Sequence, residues 1–338
     1  MSPSAGTGGD PLDMLTGYQR SAIVGTTVEI GVADAIAHGA RDADAVAGEL
    51  GTHPDATARL LSALVALGLA DRSDNGFALS AAGSSLASDG PDSIAEIARK
   101  EWFFYRSWAT LPQAIADGHA RIAPWRDRLR DDRAQSLAFL RALDDLAARF
   151  GAGLPELAGL ESGGRLLDVG GGAGSHSAYL EAAVDGLDAT VLDLAEAETV
   201  LRERHPELAF VTGDFHAPRF GRPEDEQWDY VLLANILHDH PPARCAELVA
   251  EAAGLLAPGG ALVVYEWVIN EDGVSPPDVA LFALMMLVEN EGGGTWTEAQ
   301  IAGWARDAGL EPSGLRRGPG PISALVARKP ASPERSTG

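Results

Sequence analysis

Hydrophobic and polar positions after Arg165 divide the chain into short unbroken apolar runs separated by longer stretches of helical periodicity. Leu166, Leu167 and Val169 make the first run, and a continuous apolar run bounded by glycine suits a central parallel strand covered on both faces. Further strands are predicted at Ala189 to Leu194, Leu208 to Thr212, Trp228 to Ala234 and Gly260 to Trp267, the last after the turn Pro258-Gly259-Gly260. Helices fill the gaps, including Pro242 to Leu256 and Thr297 to Ala308, and Gly309 is placed to close the latter as a C-cap. Leu315 to Arg317 and Ile322 to Arg328, separated by a Gly/Pro turn, read as a final hairpin. Strands alternating with helices predict a doubly wound α/β domain with helices on both faces of a parallel sheet, and the hairpin inserts an antiparallel strand at one edge.

The pattern before Arg165 is helical. From Leu12 to Ala37 it is apolar nearly all round, with Ile23, Val24, Val28, Ile30, Val32 and Ile36. Such a helix has to be covered, either by a partner subunit or by its own domain. Asp42 to Leu50 and Asp55 to Leu67 read as two further helices, the second opened by Pro54 and turning Leu60, Leu61, Leu64, Val65 and Leu67 to a core. Leu69 to Leu79, centred on Asn75-Gly76, reads as a β-hairpin. Helix, turn, helix and hairpin make a winged-helix arrangement. Five aromatics fall within the seven positions from Trp102 to Trp108, either as core or as part of the wall of an acceptor pocket. Arg121 to Arg133 is a charged segment containing Trp125, and Ala134 to Phe150 is a helix leading to a boundary near Gly151-Ala152-Gly153. The expected organisation is a disordered 1–10, a winged-helix-like domain over 11–100, linking helices over 101–150, the α/β domain over 151–330 and a disordered 331–338.

Composition narrows the function classes. A chain of 338 residues is long enough for two domains with substantial cores. Twenty-six basic against 49 acidic residues give a net charge of −23, which repels nucleic acid and anionic membrane surfaces. The winged helix does not look like a DNA reader either: Arg41 to Gly90 holds three basic residues against seven acidic ones, and the candidate reading helix carries only Arg59. No apolar run approaches the ~18 residues of a membrane span, and Met1 to Asp10 lacks the basic start and apolar core of a secretory signal. The single cysteine, Cys245, excludes an internal disulfide, fits a cytoplasmic location and reads as a small buried residue.

Candidate chemistry clusters at successive strand ends. Arg165 to Leu180 reads as buried strand, glycine turn and helix start, the plan of a nucleotide-type pocket at the carboxyl end of a strand. The dinucleotide spacing G-x-G-x-x-G fails in both frames, because its third glycine would fall on Ser175 or Ser177. What is present is D-x-G-x-G-x-G, with Asp168, Gly170, Gly172 and Gly174, which resembles motif I of S-adenosylmethionine-dependent methyltransferases. Asp193 lies 19 positions after Gly174, where an acid can accept from both ribose hydroxyls. Gly213-Asp214-Phe215 follows the third strand, where the acid can accept from an adenine amino group and the ring can stack on the base. After the fourth strand comes Asn235-Ile236-Leu237-His238-Asp239-His240, in which His238 is poised to take a proton from an acceptor hydroxyl. Glu266, on the fifth strand, can orient His238 or hold the imidazolium. His238 and His240 could share an ion, but no clear third ligand accompanies them and no metal is assigned.

These motifs resemble the small-molecule O-methyltransferases of the caffeate, acetylserotonin and aromatic polyketide type, over nearly the whole chain. The resemblance implies a Rossmann-like methyltransferase domain with a seven-stranded, mostly parallel sheet and a terminal antiparallel hairpin, preceded by a mainly helical winged-helix dimerisation domain. It implies a homodimer, S-adenosylmethionine as methyl donor, and His238 as catalytic base beside Glu266. The cofactor side would be Asp168, Gly170, Gly172, Gly174, Asp193, Asp214, Phe215 and Asn235. The acceptor side would be Trp102, Tyr105, Trp108, Asp239, Met285, Met286, Asn290 and Trp296. Three departures bear on the acceptor. Thr295 stands where the family has a second base-flanking glutamate, leaving Glu289 or Glu291 to replace it. Ala234 replaces a lysine before the histidine segment, and Phe139-Leu140-Arg141-Ala142-Leu143 replaces a Phe-Asn-x-Ala-Met helix segment. Methylation of carbon or nitrogen on the same scaffold, metal-assisted through His238 and His240, and a non-catalytic winged-helix sensor of S-adenosylmethionine are the alternatives.

Overall fold

A computed structural model describes residues 10–90, 92–123, 133–214 and 216–331. Contacts divide the chain into two compact units, residues 1–109 and 110–338. The division falls between Ala109 and Thr110 rather than near Gly151-Ala152-Gly153, because the helix Arg133–Phe150 and the short 3-10 turn Gly151–Gly153 pack within the second unit.

In the first unit the apolar stretch from Leu12 to Ala37 is three helices, Pro11–Thr16, Tyr18–Glu29 and Val32–Ala37. The last break is local: Gly31 takes a left-handed φ of 83°, which a β-branched residue would resist. Helices Ala43–Leu50 and Pro54–Ala66 follow, the first capped by the Asp42 carboxylate, which accepts from Ala45 N. Strands β1 (Ala70–Ser73) and β2 (Gly76–Leu79) pair antiparallel as the predicted wing. Val32, Ile36, Val46, Leu61, Leu64 and Phe77 close a core of this unit's own. Leu12, Met14, Leu15 and Tyr18 remain exposed. Helix Ala95–Ser107 carries the aromatic cluster: Trp102 stacks on Tyr105 at 5.0 Å and lies so close to Gly25 that a Cβ there would sit 2.3 Å from its ring.

The second unit is built on one sheet. Strands β3 (Gly164–Val169), β4 (Leu187–Asp193), β5 (Ala209–Thr212), β6 (Trp228–Ala234), β7 (Leu256–Ile269), β8 (Trp296–Thr297), β9 (Glu311–Arg317) and β10 (Ile322–Arg328) follow in the chain. Their spatial order is β5-β4-β3-β6-β7-β10-β9, with β8 pairing the far end of β7. β3, β4, β5, β6 and β7 run parallel, and β10 enters antiparallel between β7 and β9, as the terminal hairpin predicts. Side chains alternate across the sheet with the period of two that strands impose. Leu167, Val169, Val231, Leu233, Leu262 and Val264 meet the helices Pro242–Leu255 and Glu298–Asp307 on one face. Leu166, Tyr230, Leu232, Val263 and Tyr265 meet Leu154–Ala158, Ser175–Ala183 and Ala195–Arg204 on the other. Chain order reverses beside β3, with β4 on one side and β6 on the other. The carboxyl ends of these strands therefore border the crevice where doubly wound sheets take their ligands.

Candidate active site

The turn after β3 is held from both sides. Gly170 N donates to Leu192 O at 2.7 Å, tying the turn to β4, and Gly172 N donates to Asp193 Oδ2 at 2.8 Å. Gly172 has a φ of 56° and no heavy atom within 4 Å of where a Cβ would project, so its side of the turn is open. Gly174 has a φ of 92°, and a Cβ there would lie 2.6 Å from Leu208. Its packing against Leu208, Leu201 and Val191 requires a bare Cα. Helix Ser175–Ala183 starts directly behind it, presenting the free N–H groups of its first turn.

Two acids flank this turn. Asp168 is fully buried, and its Oδ2 accepts from Ser177 Oγ at 2.8 Å while Oδ1 has no partner. Burial pushes its carboxyl up to about 7, opposed by the Ser177 bond and reinforced by the charge of Asp193. Asp193 accepts from Leu194 N at 2.6 Å as well as from Gly172, yet burial still raises it to about 6, with Glu196 adding to the rise. Each acid thus has its charged form penalised, a state relieved by hydroxyl donors or a cation in the crevice. Asp214, after β5, accepts from His216 N at 2.9 Å, and Phe215 lies outside the described residues. Asn235, at the end of β6, is left-handed with a φ of 56° although it carries a Cβ. Its N–H donates to Tyr265 O at 2.9 Å and its buried Oδ1 is unpaired. Asn is among the residues that tolerate this conformation, and its side-chain oxygen is left with an open acceptor position at the strand end.

The next turn carries His238. It is 8% exposed, and the Glu266 carboxylate on β7 is 1% exposed. Glu266 faces His238 Nδ1 with Oε2 at 2.9 Å and Oε1 at 3.1 Å, and also accepts from the backbone N–H groups of His238 and Trp267 at 3.2 and 2.8 Å. Nδ1 is therefore committed, and Nε2 has Asp239 Oδ1 at 3.5 Å. Burial pulls the His238 pKa down, but the charges of Glu266 and Asp239, the Glu266 hydrogen bond and the charge of Glu289 outweigh it and lift it to about 9. Burial also works to raise Glu266, yet His238 and the two backbone donors hold it below the usual carboxylate range. His240 goes the other way, to about 4, through burial and the charges of Arg244, His216 and His238. Among the described residues no group of three His, Cys, Asp or Glu side chains is placed to hold a metal ion.

Of the acceptor-side candidates, Asn290 donates to Asp239 Oδ1 at 2.6 Å and to Met286 Sδ at 3.3 Å, so these three residues meet beside His238. Met285 is half-buried and Met286 buried, on the helix Pro277–Glu289. Trp296 packs edge-on to Trp304 at 5.9 Å against the sheet core, and its indole N–H donates to Leu237 O at 2.9 Å. It braces the His238 turn from below. Trp102, Tyr105 and Trp108 belong to the first unit, where Trp102 is engaged with Gly25 and Tyr105. Sequence reasoning missed Phe282, whose ring stands edge-on to His238 at 4.9 Å and stacks on Trp267 at 4.2 Å. The signal was there: Phe282 lies one helical turn before Met285 and Met286. Of the two glutamates considered as replacements near Thr295, Glu289 is buried and its charge acts on His238. Cys245 is buried on its helix, with Sγ 3.1 Å from Leu237 O.

Comparison with known proteins agrees with this geometry. A family model described as an O-methyltransferase domain matches residues 108–311, and one described as an O-methyltransferase dimerisation domain matches residues 12–89. The chain is 30% identical to 3-hydroxy-5-methyl-1-naphthoate 3-O-methyltransferase of Streptomyces sahachiroi, over 88% of each chain. It is 27% identical to acetylserotonin O-methyltransferase of Mus musculus, over 94% of this chain and 87% of the relative. A solved O-methyltransferase family protein from Burkholderia thailandensis superposes with a TM-score of 0.84 at 25% identity, covering 97% of this chain and all of the other. Glycine turn, strand-end acids, sheet order and family matches together make the chain a member of the S-adenosylmethionine-dependent O-methyltransferase family.

Proposed function

We propose that the protein methylates a hydroxyl group of a small aromatic or polyketide-like molecule, with His238 as the base. The observation that carries this reading is the buried His238–Glu266 pair, which commits Nδ1 and leaves Nε2 for the acceptor. The Phe282–Trp267 stack beside the imidazole supplies a flat apolar wall suited to an aromatic ring. The naphthoate and acetylserotonin methyltransferases named above act on aromatic acceptors, which favours the same substrate class here.

The residues present fit S-adenosylmethionine. Open space at Gly172, the unpaired Oδ1 atoms of Asp168 and Asn235, and two acids with raised pKa values offer acceptors to a ligand rich in donors and positive charge. Asp193 would accept from the ribose hydroxyls, Gly170, Gly172 and Gly174 would let the backbone approach, and Asp214 with Phe215 would take the adenine. The bound donor supplies a methyl group on a positively charged sulfur. The chain's own task is to align the acceptor oxygen and remove its proton. Glu266 holds the ring and stabilises the imidazolium formed when Nε2 takes that proton, and Asn290 keeps Asp239 beside Nε2.

A methyl-transfer assay with isotopically labelled donor and a panel of phenols tests the reading. Products are expected to carry the label on oxygen. Label found on carbon or nitrogen by NMR would replace O-methylation with the alternative chemistry. A pH prediction follows from the site's charge. With His238 raised to about 9, the resting imidazole is protonated at neutral pH, so kcat/KM should climb with pH towards about 9. Glu266→Gln removes the largest upward influence on His238 and should move that midpoint to lower pH. A midpoint unmoved by the substitution would mean that another group titrates.

We further propose that the first unit pairs two copies. Its exposed Leu12, Met14, Leu15 and Tyr18 need a cover, and the dimerisation-domain match spans them. A monomer in sedimentation equilibrium would exclude this.

A further inference from the structure

Where the glycine turn passes into its helix lies a polar cluster that none of the roles above uses. Ser175, the first residue of its helix, donates through Oγ to Asp144 Oδ1 on the helix Arg133–Phe150. His205 Nε2 stands 3.4 Å from the same hydroxyl and 3.8 Å from Asp144 Oδ1. Arg204 reaches Asp144 Oδ2 through Nε at 3.6 Å and Asp145 Oδ1 through Nη2 at 3.3 Å. Asp144 is 8% exposed and Ser175 is 6% exposed, so the contact is removed from water. One turn before Asp144, Leu140 packs with Ala173 of the glycine turn and with Ala197 and Val200 of the helix Ala195–Arg204.

We propose that Asp144 is a positioning residue for the methyl donor, clasping the glycine turn to the segment that carries Asp193. Besides the Gly170–Leu192 bond, the two segments meet twice more. At the front, Gly172 N donates to Asp193 Oδ2 at 2.8 Å. At the back, the helix that begins at Ala195, two residues after Asp193, ends in Arg204 and runs on into His205, and these hold Asp144 against Ser175. The path from Gly172 to Asp193, along the helix Ala195–Arg204 to Arg204, and through Asp144 and Ser175 back to the turn is closed. Opening it at Asp144 leaves the turn and the ribose-side acid held by the front bonds alone, without altering a group that faces the donor. Ser175 is the first residue of its helix, so the same contact also anchors that helix's first turn. The inference rests on the donor site proposed above, and it concerns donor affinity rather than proton transfer.

Calorimetry with S-adenosylhomocysteine, together with steady-state kinetics at varied donor, decides it. Asp144→Asn and Ser175→Ala are each expected to raise Kd about tenfold, the scale of one charge-assisted hydrogen bond. The double variant should bind no more weakly than the weaker single one, because both substitutions cut the same contact. Donor KM should follow Kd, while kcat falls less than about twofold and acceptor KM holds. Kd values within twofold of the unsubstituted protein alongside a lowered Tm would reduce the cluster to fold stability and overturn the clasp. So would a fall in kcat at constant donor KM. If Asp144→Asn does not fold, Ser175→Ala alone decides, since it leaves Asp144 paired with Arg204 and His205. Failure of the unsubstituted protein to bind would overturn the donor site itself and the clasp with it.

Discussion

Replacing His238 with alanine is expected to lower kcat by about a hundred- to ten-thousand-fold, the range spanned by loss of a positioned general base. Affinity for S-adenosylhomocysteine should stay within about twofold, because His238 touches neither the glycine turn nor Asp193 through any bond described above. The defect should also depend on pH. A phenol ionises unaided near pH 10, by analogy with tyrosine, so an acceptor already ionised in solution needs no base. The loss should therefore shrink between pH 8 and about 10, where a purely structural defect would not recover. Turnover in the alanine variant close to that of the unsubstituted protein at pH 7.5 would remove His238 as the base. Glu266 would then be a buried carboxylate whose service is to the fold alone.

The second large effect is expected at Asp193. Its two oxygens accept from Gly172 N and Leu194 N, and burial has already raised its pKa to about 6. Asp193→Ala removes the acceptor proposed for the ribose hydroxyls and also releases the turn from β4 at one of its two ties. Hydrogen bonds to a charged group are worth roughly 1.5–3 kcal/mol, so a rise in the Kd of S-adenosylhomocysteine of about ten- to a hundred-fold is expected by calorimetry. Asp193→Asn should fall between the two, since an amide oxygen still accepts. An affinity untouched by Asp193→Ala would place the ribose elsewhere.

What the sequence revealed, and what it hid, follows from the range of each interaction. Leu166, Leu167 and Val169 announce a buried strand because apolar side chains fall on both of its faces, with Asp168 the one polar residue among them. The glycine turn is equally local: positive φ and close packing at Gly174 are properties of a few neighbouring residues. His238 and Glu266 could be paired on paper because both sit at the ends of strands whose adjacency follows from chain order. The surroundings of single aromatic side chains were harder. Periodicity shows that Trp296 and Phe282 are partly covered but not by what. Trp296 turns to the core and the Leu237 carbonyl, while Phe282, not singled out, stands against His238. The aromatic density from Trp102 to Trp108 proved to include a stack within its own helix and a close packing on Gly25, which no composition count distinguishes from a ligand wall. The Asp144–Ser175 contact spans 31 positions and unites residue types common on any surface, so nothing in the linear pattern points to it.

The His238–Glu266 pair also sets how the fold exchanges protons with solvent. An unfolded chain would hold the His238 proton only up to its ordinary value of 6.5, whereas the folded chain holds it to about 9. Between these limits folding takes up a proton. The stabilisation this brings is complete below pH 6.5 and is lost as pH rises through about 9, at roughly 1.4 kcal/mol per pH unit where the difference in bound protons is whole. The alkaline conditions that free Nε2 to accept a proton are thus those in which the pair contributes least to holding β6 and β7 in register. Under the proposed role of His238 as base, catalytic readiness and conformational stability draw on the same proton and pull the optimum pH in opposite directions.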